Sequence, residues 1–128
     1  MLSISNKTRR PTPRIQFEKI KDEILGESYE LSLVFVSPAT SRKLNATHRG
    51  IDKATDVLSF PLSETSGEIF IDLATTENMA PEFDMPLKKF VAFLFIHGCL
   101  HLIGMDHGAT MEKAETANLH VASNRRWY

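Results

Sequence analysis

Three histidines in the last third of the chain have the spacing of a metal site. His97 and His101 are four residues apart in an apolar stretch, and His107 follows three residues after Gly104. Because residues four apart lie on one face of a helix, the first two imidazoles can bind one metal ion. Gly104 can adopt a positive φ and end the helix, which allows His107 to supply a third ligand from outside it. Three imidazoles leave one coordination position open, as in catalytic zinc sites.

The residue after the first histidine argues against peptide hydrolysis. The spacing matches the metallopeptidase motif H-E-x-x-H-x-x-G-x-x-H, in which the glutamate is the general base, but this chain has Gly98 at that position. General acid–base help is worth roughly 10²–10⁴-fold in rate. A phosphodiester suits the remaining groups better, because its cleavage depends on charge neutralisation by a metal ion and a guanidinium. Arg49, which precedes Gly50 at the exit of a predicted helix, is the candidate guanidinium.

Four strands and four helices are predicted from the hydrophobic pattern and from the positions of glycine and proline. The strands cover residues 2–5, 30–36, 56–62 and 68–72, and the helices cover residues 14–25, 38–47, 86–103 and 110–125. Residues 78–86 are predicted to be a loop in which Asp84 caps the following helix. Pro61 places its strand near an edge or an end. The order β-α-β-α-β-β-α-α indicates an α+β or mixed α/β domain.

Length and composition are those of one folded domain over residues 1–128. The chain has 42% hydrophobic and 24% charged residues, which argues against a disordered tail or a coiled coil. Its single cysteine excludes an internal disulfide framework and a cysteine-rich metal site. The amino-terminal residues have no signal-peptide pattern, and the longest apolar stretch, residues 90–105, is shorter than the ~20 residues of a membrane span. We therefore expect a cytoplasmic protein with no membrane partner.

The net charge of −1 is unevenly distributed along the chain. Residues 1–61 contain ten lysines and arginines against seven acidic residues, whereas residues 62–128 contain five against nine. Two basic clusters lie in the first half, namely Lys7, Arg9, Arg10 and Arg14, and then Arg42, Lys43, Arg49 and Lys53. Clusters of this size are common on solvated surfaces, and they would contact phosphates if the fold directed them to a common groove.

Three blocks of the sequence together resemble one known family. Residues 97–107 match H-G-x-L-H-L-x-G-Y-D-H at every fixed position except Met105, which replaces the tyrosine. Residues 45–61 resemble N-x-x-x-R-x-x-x-x-x-T-D-V-L-S-F-P, and residues 67–69 resemble G-D-I with Glu68 in place of the aspartate. With these motifs, the stretch from residue 31 to residue 115 resembles the YbeY family of bacterial endoribonucleases that mature ribosomal RNA.

The resemblance implies a fold, an activity and a set of site residues. The expected fold is α+β, with a small mixed β-sheet flanked by helices and the metal-binding helix packed on the sheet in a zincin-like arrangement. The expected activity is metal-dependent cleavage of single-stranded RNA in small-subunit ribosomal RNA 3′-end maturation and ribosome quality control. The implied zinc ligands are His97, His101 and His107, with another divalent metal such as nickel as an alternative. Arg49 and His97 are the implied catalytic residues, and the ribosome or ribosome-associated proteins are the implied partners.

The residues leave several chemical alternatives open. His48 and Asp106 are both candidates for a general base, and the attacking group is either water or the neighbouring 2′-hydroxyl of the RNA. Asp106 could instead orient an imidazole or bond the preceding turn. Cys99, two residues after His97, is expected to pack in the core, and His120 is expected on the surface. The alternatives to a ribonuclease are a metal-dependent hydrolase of another substrate and a non-catalytic ribosome-assembly metalloprotein.

Overall fold

Four strands form one mixed sheet in the computed structural model, which describes residues 1–104. The strands are β1 (Leu2–Asn6), β2 (Glu30–Val36), β3 (Val57–Ser63) and β4 (Ser66–Asp72). They lie in the order β1-β2-β4-β3, with β1, β2 and β4 parallel and β3 antiparallel to β4. The edge strands are therefore β1 and β3, and Pro61 lies in an edge strand as predicted. The α+β class with a small mixed sheet is confirmed.

Four helices and one 3₁₀ helix connect the strands or cover the sheet within the described residues. They are α1 (Phe17–Leu25), α2 (Pro38–Arg49), α3 (Leu73–Met79), the 3₁₀ helix Ala80–Phe83 and α4 (Leu87–Leu102). The hydroxyl oxygen of Ser37 accepts the N–H of Thr40 at 3.2 Å and caps α2, as its sequence predicted. The helix predicted at residues 110–125 lies outside the described residues.

No single helix among residues 1–104 is long and apolar enough to cross a membrane. The segments Leu73–Phe83 and Leu87–Leu102 reach that length and composition only as a pair, which is bent by 104°.

One face of the sheet and two helices enclose the main core. Side chains alternate between the two faces of a strand, and on β2 and β4 one alternating set is buried: Leu31, Leu33, Phe35, Ile69 and Ile71. The helices α1 and α4 cover this face and add Phe17, Ile20, Val91, Phe95, Ile96 and Cys99 to the same cluster. The helix α2 lies on the opposite face, where the ring of His48 contacts Phe60 of β3. The helix that carries His97 and His101 is therefore packed on the sheet, as expected.

The sequence prediction is wrong in the segment between β4 and α4. Part of the predicted loop at residues 78–86 is helical, because it contains the end of α3 and the 3₁₀ helix. Asp72 ends β4 and also caps α3, since its carboxylate accepts the N–H of Thr75 at 3.0 Å. Asp84 does not cap α4. It ends the 3₁₀ helix at a φ of 53°, a left-handed conformation that aspartate adopts more readily than most residues.

Candidate functional site

His97 and His101 lie together on one face of α4. Their Nε2 atoms are 3.0 Å apart, and their ring centroids are 4.6 Å apart. Both side chains are half-buried, whereas Gly98 and Cys99 between them are buried. Burial also raises the pKa of the Cys99 thiol, which disfavours a thiolate ligand and agrees with the predicted packing role. The four-residue spacing thus places the two imidazoles side by side, as the sequence predicted.

Gly98 allows α4 to approach the sheet closely. A Cβ at this position would lie 3.0 Å from Cδ1, 3.3 Å from Cγ1 and 3.4 Å from Cγ2 of Ile69, whereas carbon atoms in favourable contact are ~3.5–4.0 Å apart. Ile69 is fully buried in β4. A glutamate at this position, such as metallopeptidases carry, would therefore point into the sheet. The packing of the helix gives a physical reason for the missing general base.

Arg49 is the last residue of α2, and its side chain is exposed. The helix extends beyond its predicted end at residue 47 and stops at Gly50, whose φ of 70° is left-handed. The N–H of Gly50 donates to the carbonyl oxygen of Ala46 at 3.1 Å, and the N–H of Ile51 donates to that of Asn45 at 3.3 Å, an arrangement for which glycine is the favoured residue. Arg49 is therefore held at a well-defined helix end from which the chain turns toward β3.

Two buried side chains of α2 bind the loop between Arg49 and β3. Asn45 donates from Nδ2 to the carbonyl oxygen of Lys53 at 2.9 Å. The hydroxyl oxygen of Ser41 accepts the N–H of Thr55 at 3.3 Å. Both side chains are buried, so these bonds are protected from competing water. The loop is consequently fixed to the helix that carries the arginine.

A buried carboxylate links this loop to the sheet and to α3. Asp72 is fully buried, and its Oδ2 accepts the hydroxyl of Ser41 at 2.8 Å and the hydroxyl of Thr75 at 2.6 Å. Its N–H donates to the carbonyl oxygen of Asp56 at 2.9 Å. Hydrogen bonds to an ionised acceptor are stronger than those between neutral groups. Asp72 therefore fixes the position at which β3 begins.

A groove of about 450 Å³ lies between α4 and the edge strand β3. The residues that line it are Arg49, Thr55, Asp56, Val57, Leu58, Ser59, Phe60, His97 and His101. The arginine and the histidine pair thus face one common space, although they come from helices on opposite faces of the sheet.

Asp56 adds a half-buried carboxyl group to the groove. Burial raises the pKa of Asp56, and four interactions partly oppose this effect. The carboxyl group accepts the N–H of Val57 at 2.8 Å and interacts with its own backbone N–H, the imidazole of His97 lies nearby, and the hydroxyl of Thr55 is within 3.5 Å. The groove therefore contains an acidic group as well as the arginine and the two imidazoles.

The histidine pair fits a transition metal such as zinc. Two imidazole nitrogens bound to one tetrahedral zinc ion at ~2.0–2.1 Å are themselves ~3.3 Å apart, close to the 3.0 Å between the Nε2 atoms here. Within residues 1–104 no group of three or more histidine, cysteine or acidic side chains is arranged to hold a metal ion. The predicted third ligand, His107, lies outside the described residues, as do Met105, Asp106 and His120.

The remaining candidates do not all reach the groove. His48, proposed as an alternative base, lines an adjoining groove, and its ring centroid is 4.6 Å from that of Phe60. Lys7, Arg9 and Arg10 line another cavity, separate from the one that Arg49 lines. These three residues of the first basic cluster therefore do not line the groove of Arg49.

Sequence reasoning assigned no role in the site to Thr55, Asp56 or Phe60. All three belong to the T-D-V-L-S-F-P block, in which residues 56–62 are predicted to form a strand. The available signal was an acidic residue placed directly before an apolar strand. The contribution of Phe60 depends on the strand order, which the sequence pattern does not specify.

Known proteins are similar to this chain over most of its length. The sequence profile of the family described as Endoribonuclease YbeY matches residues 4–124. Endoribonuclease YbeY of Helicobacter pylori strain Shi470 is 40% identical over 111 residues, which cover 84% of this chain and 79% of that protein. Endoribonuclease YbeY of Pelotomaculum thermopropionicum is 39% identical over 107 residues, which cover 75% and 70%. The solution structure of TM1509 from Thermotoga maritima superposes with a TM-score of 0.72 at 26% identity and covers 98% of this chain and 91% of that one.

Proposed function

The chain belongs to the endoribonuclease YbeY family and is a ribonuclease, and we propose that it cleaves single-stranded RNA in the groove of Arg49, His97 and His101. The proposed physiological substrate is the 3′ end of small-subunit ribosomal RNA, cleaved in its maturation and in ribosome quality control. The proposed cofactor is one zinc ion, with nickel as an alternative. We place the enzyme in the cytoplasm with the ribosome or its associated proteins, and assign residues 1–128 to one domain.

The observation that carries this proposal is the convergence of an arginine and a histidine pair in one groove. A guanidinium can bind two phosphate oxygens at once, and two adjacent imidazoles are typical ligands of a divalent transition metal. A phosphate between these groups would have its charge neutralised from two sides. Charge neutralisation of this kind lowers the barrier to phosphodiester cleavage.

The side chains have distinct roles in the proposed reaction. Arg49 binds and orients the phosphate that is cleaved. His97 and His101, together with His107, hold the metal through their ring nitrogens. When bound, the zinc ion supplies a positive charge that polarises a phosphate oxygen or lowers the pKa of a water molecule. The hydrogen bond from Asn45 to the carbonyl oxygen of Lys53 maintains the loop that follows Arg49.

The dimensions of the groove suit a short part of a flexible single strand. Its volume of about 450 Å³ lies within the range of ~300–1,000 Å³ that is typical of small-ligand pockets. It can therefore accommodate a short part of a single strand. Bases of a single strand are also free to turn outward and contact side chains.

Cleavage of an unstructured, end-labelled RNA by the purified protein tests this proposal. Wild type, His101→Ala and Arg49→Glu are compared with and without a chelator. Lys43→Glu is the control, because Lys43 is exposed on the same helix as Arg49 and does not line the groove. We expect cleavage by wild type and Lys43→Glu, and a loss of about 100-fold or more in both groove variants. Chelation should have a similar effect.

Other outcomes would contradict the proposal in identifiable ways. Cleavage that survives chelation and His101→Ala contradicts the metal role, and cleavage that survives Arg49→Glu contradicts the phosphate role. No cleavage by folded, metal-loaded protein would favour the non-catalytic assembly function. Casein hydrolysis that disappears in His101→Ala would favour a peptidase, which the packing at Gly98 disfavours. In active samples, a 2′,3′-cyclic phosphate end indicates attack by the 2′-hydroxyl, and a phosphate monoester indicates attack by water.

A further inference from the structure

We propose that an aromatic shelf beside the groove binds one base of the RNA, next to the phosphate that is cleaved; this inference rests on the proposed function. The aromatic shelf consists of His48, Phe60 and Phe70. The ring of Phe60 lies between the other two, with its centroid 4.6 Å from that of His48 and 5.8 Å from that of Phe70. The ring planes of His48 and Phe70 are inclined by 45° and 61° to that of Phe60, and the three rings form one aromatic cluster on the face of the sheet opposite the main core.

Phe60 joins the aromatic shelf to the histidine groove. It lines both that groove and an adjoining groove of about 370 Å³ over the shelf. His48 directly precedes Arg49, and consecutive Cα atoms are only ~3.8 Å apart. A phosphate bound by Arg49 would therefore place a neighbouring base within reach of the shelf.

The rings of the shelf are accessible to a ligand. His48 is exposed, and Phe60 and Phe70 are half-buried. Leu62, which lines the same adjoining groove, is 62% exposed. Single-stranded nucleic acids bind to such surfaces by stacking their bases on aromatic side chains, and stacking tolerates any base because every base has a π-face.

The charges around the shelf favour an uncharged base over a phosphate. Among the described residues, the adjoining groove is lined by the carboxylate of Glu68 and by no lysine or arginine. A carboxylate repels a phosphate but not a neutral planar base. The phosphate would instead be held by Arg49 in the neighbouring groove. The groove of Arg49 thus favours a phosphate and the adjoining groove favours a base, as a strand bound across both grooves would require.

The test combines protein variants with RNA that lacks single bases. The substrate is a short, end-labelled single strand with one mapped cleavage position, and in each copy one nucleotide near that position keeps its sugar and phosphate but lacks its base. Phe60→Leu removes the aromatic face and keeps an apolar side chain. His48→Ala changes an exposed residue, so the fold should be unaffected. Phe83→Leu is the matched control, because Phe83 is 49% exposed and packs on Phe90, and lines neither groove.

The expected result is that the protein change and the base removal each lower kcat/KM, but that together they lower it little more than either one alone. Stacking of one base is worth about 5- to 150-fold in affinity, so we expect Phe60→Leu to lower kcat/KM on intact RNA by about 10-fold and His48→Ala to lower it less. Removal of one particular base should lower kcat/KM of wild type by a similar factor. The same base removal should have little further effect in Phe60→Leu. Phe83→Leu should behave like wild type with every substrate.

The inference would be wrong if Phe60→Leu and base removal lowered kcat/KM independently, so that the two factors multiplied. Phe60 would then affect cleavage through the structure of the protein and not through contact with that base. The inference would also be wrong if removal of no single base affected wild type. The Kd of each variant for each RNA, measured by fluorescence anisotropy, separates the two proposals. If Phe60→Leu and base removal have effects on Kd that do not multiply, but no RNA is cleaved, the shelf is retained and the proposed cleavage site is rejected. Cleavage without coupling in either kcat/KM or Kd would retain the cleavage site and reject the shelf.

Discussion

Replacement of Gly98 by alanine tests the close packing of α4 on β4. A Cβ at residue 98 would lie 3.0 Å from Cδ1 of Ile69, about 0.5 Å inside the favourable contact distance of ~3.5 Å. Ile69 is fully buried, and its β-branched side chain has few alternative rotamers. Overpacking of this kind costs ~1–3 kcal/mol, while removal of a glycine from a helix interior contributes ~0.5–1 kcal/mol of stability. We therefore expect Gly98→Ala to lower the free energy of unfolding by about 1 kcal/mol.

A double-mutant cycle with Ile69→Val makes this prediction specific. Valine lacks Cδ1, the atom nearest to the added Cβ. Ile69→Val alone should cost ~0.5–1.5 kcal/mol, and Gly98→Ala should then cost nothing further, so the coupling energy should be about 1 kcal/mol. Ile71→Val is the matched control, because Ile71 is fully buried on the same face of β4 and supplies none of the three atoms nearest to the added Cβ. With this control the two effects should add within ~0.5 kcal/mol.

Urea denaturation followed by circular dichroism measures these free energies. The reasoning is refuted if Gly98→Ala stabilises the protein in the wild-type background, as helix propensity alone would predict. It is also refuted if Ile71→Val couples to Gly98→Ala as strongly as Ile69→Val does. The presence of glycine directly after His97 would then need an explanation other than the contact with the sheet.

Three buried polar groups give further predictions. Tyr29→Phe should raise the free energy of unfolding by about 1 kcal/mol, because within the described part of the chain the buried Tyr29 hydroxyl has no hydrogen-bond partner; a clear drop in Tm would contradict this. Asp72→Ala should lower the free energy of unfolding by about 2–4 kcal/mol, since the carboxylate accepts the hydroxyls of Ser41 and Thr75. A change below about 1 kcal/mol would be inconsistent with that role. Cys99 is fully buried, and burial raises the pKa of its thiol, so iodoacetamide should label it only as fast as the protein unfolds; rapid labelling of native protein would disprove this.

Features that depend on local spacing were predictable from the sequence. A helix places residues four apart on one face, so the pairing of His97 with His101 followed directly from their positions. The cap of α2 at Ser37 and its end at Gly50 were predictable because short-range hydrogen bonds and φ preferences determine helix ends.

Features that depend on long-range packing were not predictable from the same patterns. Helix α3 was not predicted, because Asp72 both ends β4 and caps the helix, and no turn residue marks the boundary between them. The hydrophobic pattern of α1 does not mark Lys21 as a core residue, yet its side chain is buried. Its Nζ donates to the Asp22 carboxylate at 3.0 Å and to the Glu27 carbonyl oxygen at 3.1 Å. The role of Phe60 in two grooves required the position of β3 at the edge of the sheet.

A zinc titration of metal-free protein tests the central claim most directly. The protein is stripped with a chelator, zinc is added in steps, and the rate of cleavage of an unstructured RNA is measured at each step. We predict that the rate rises linearly and becomes constant at one zinc ion per chain, and that His101→Ala stays inactive throughout while Lys43→Glu follows wild type. Full cleavage before any metal is added, or a zinc response that His101→Ala leaves unchanged, would contradict a metal-dependent ribonuclease site at the histidine pair.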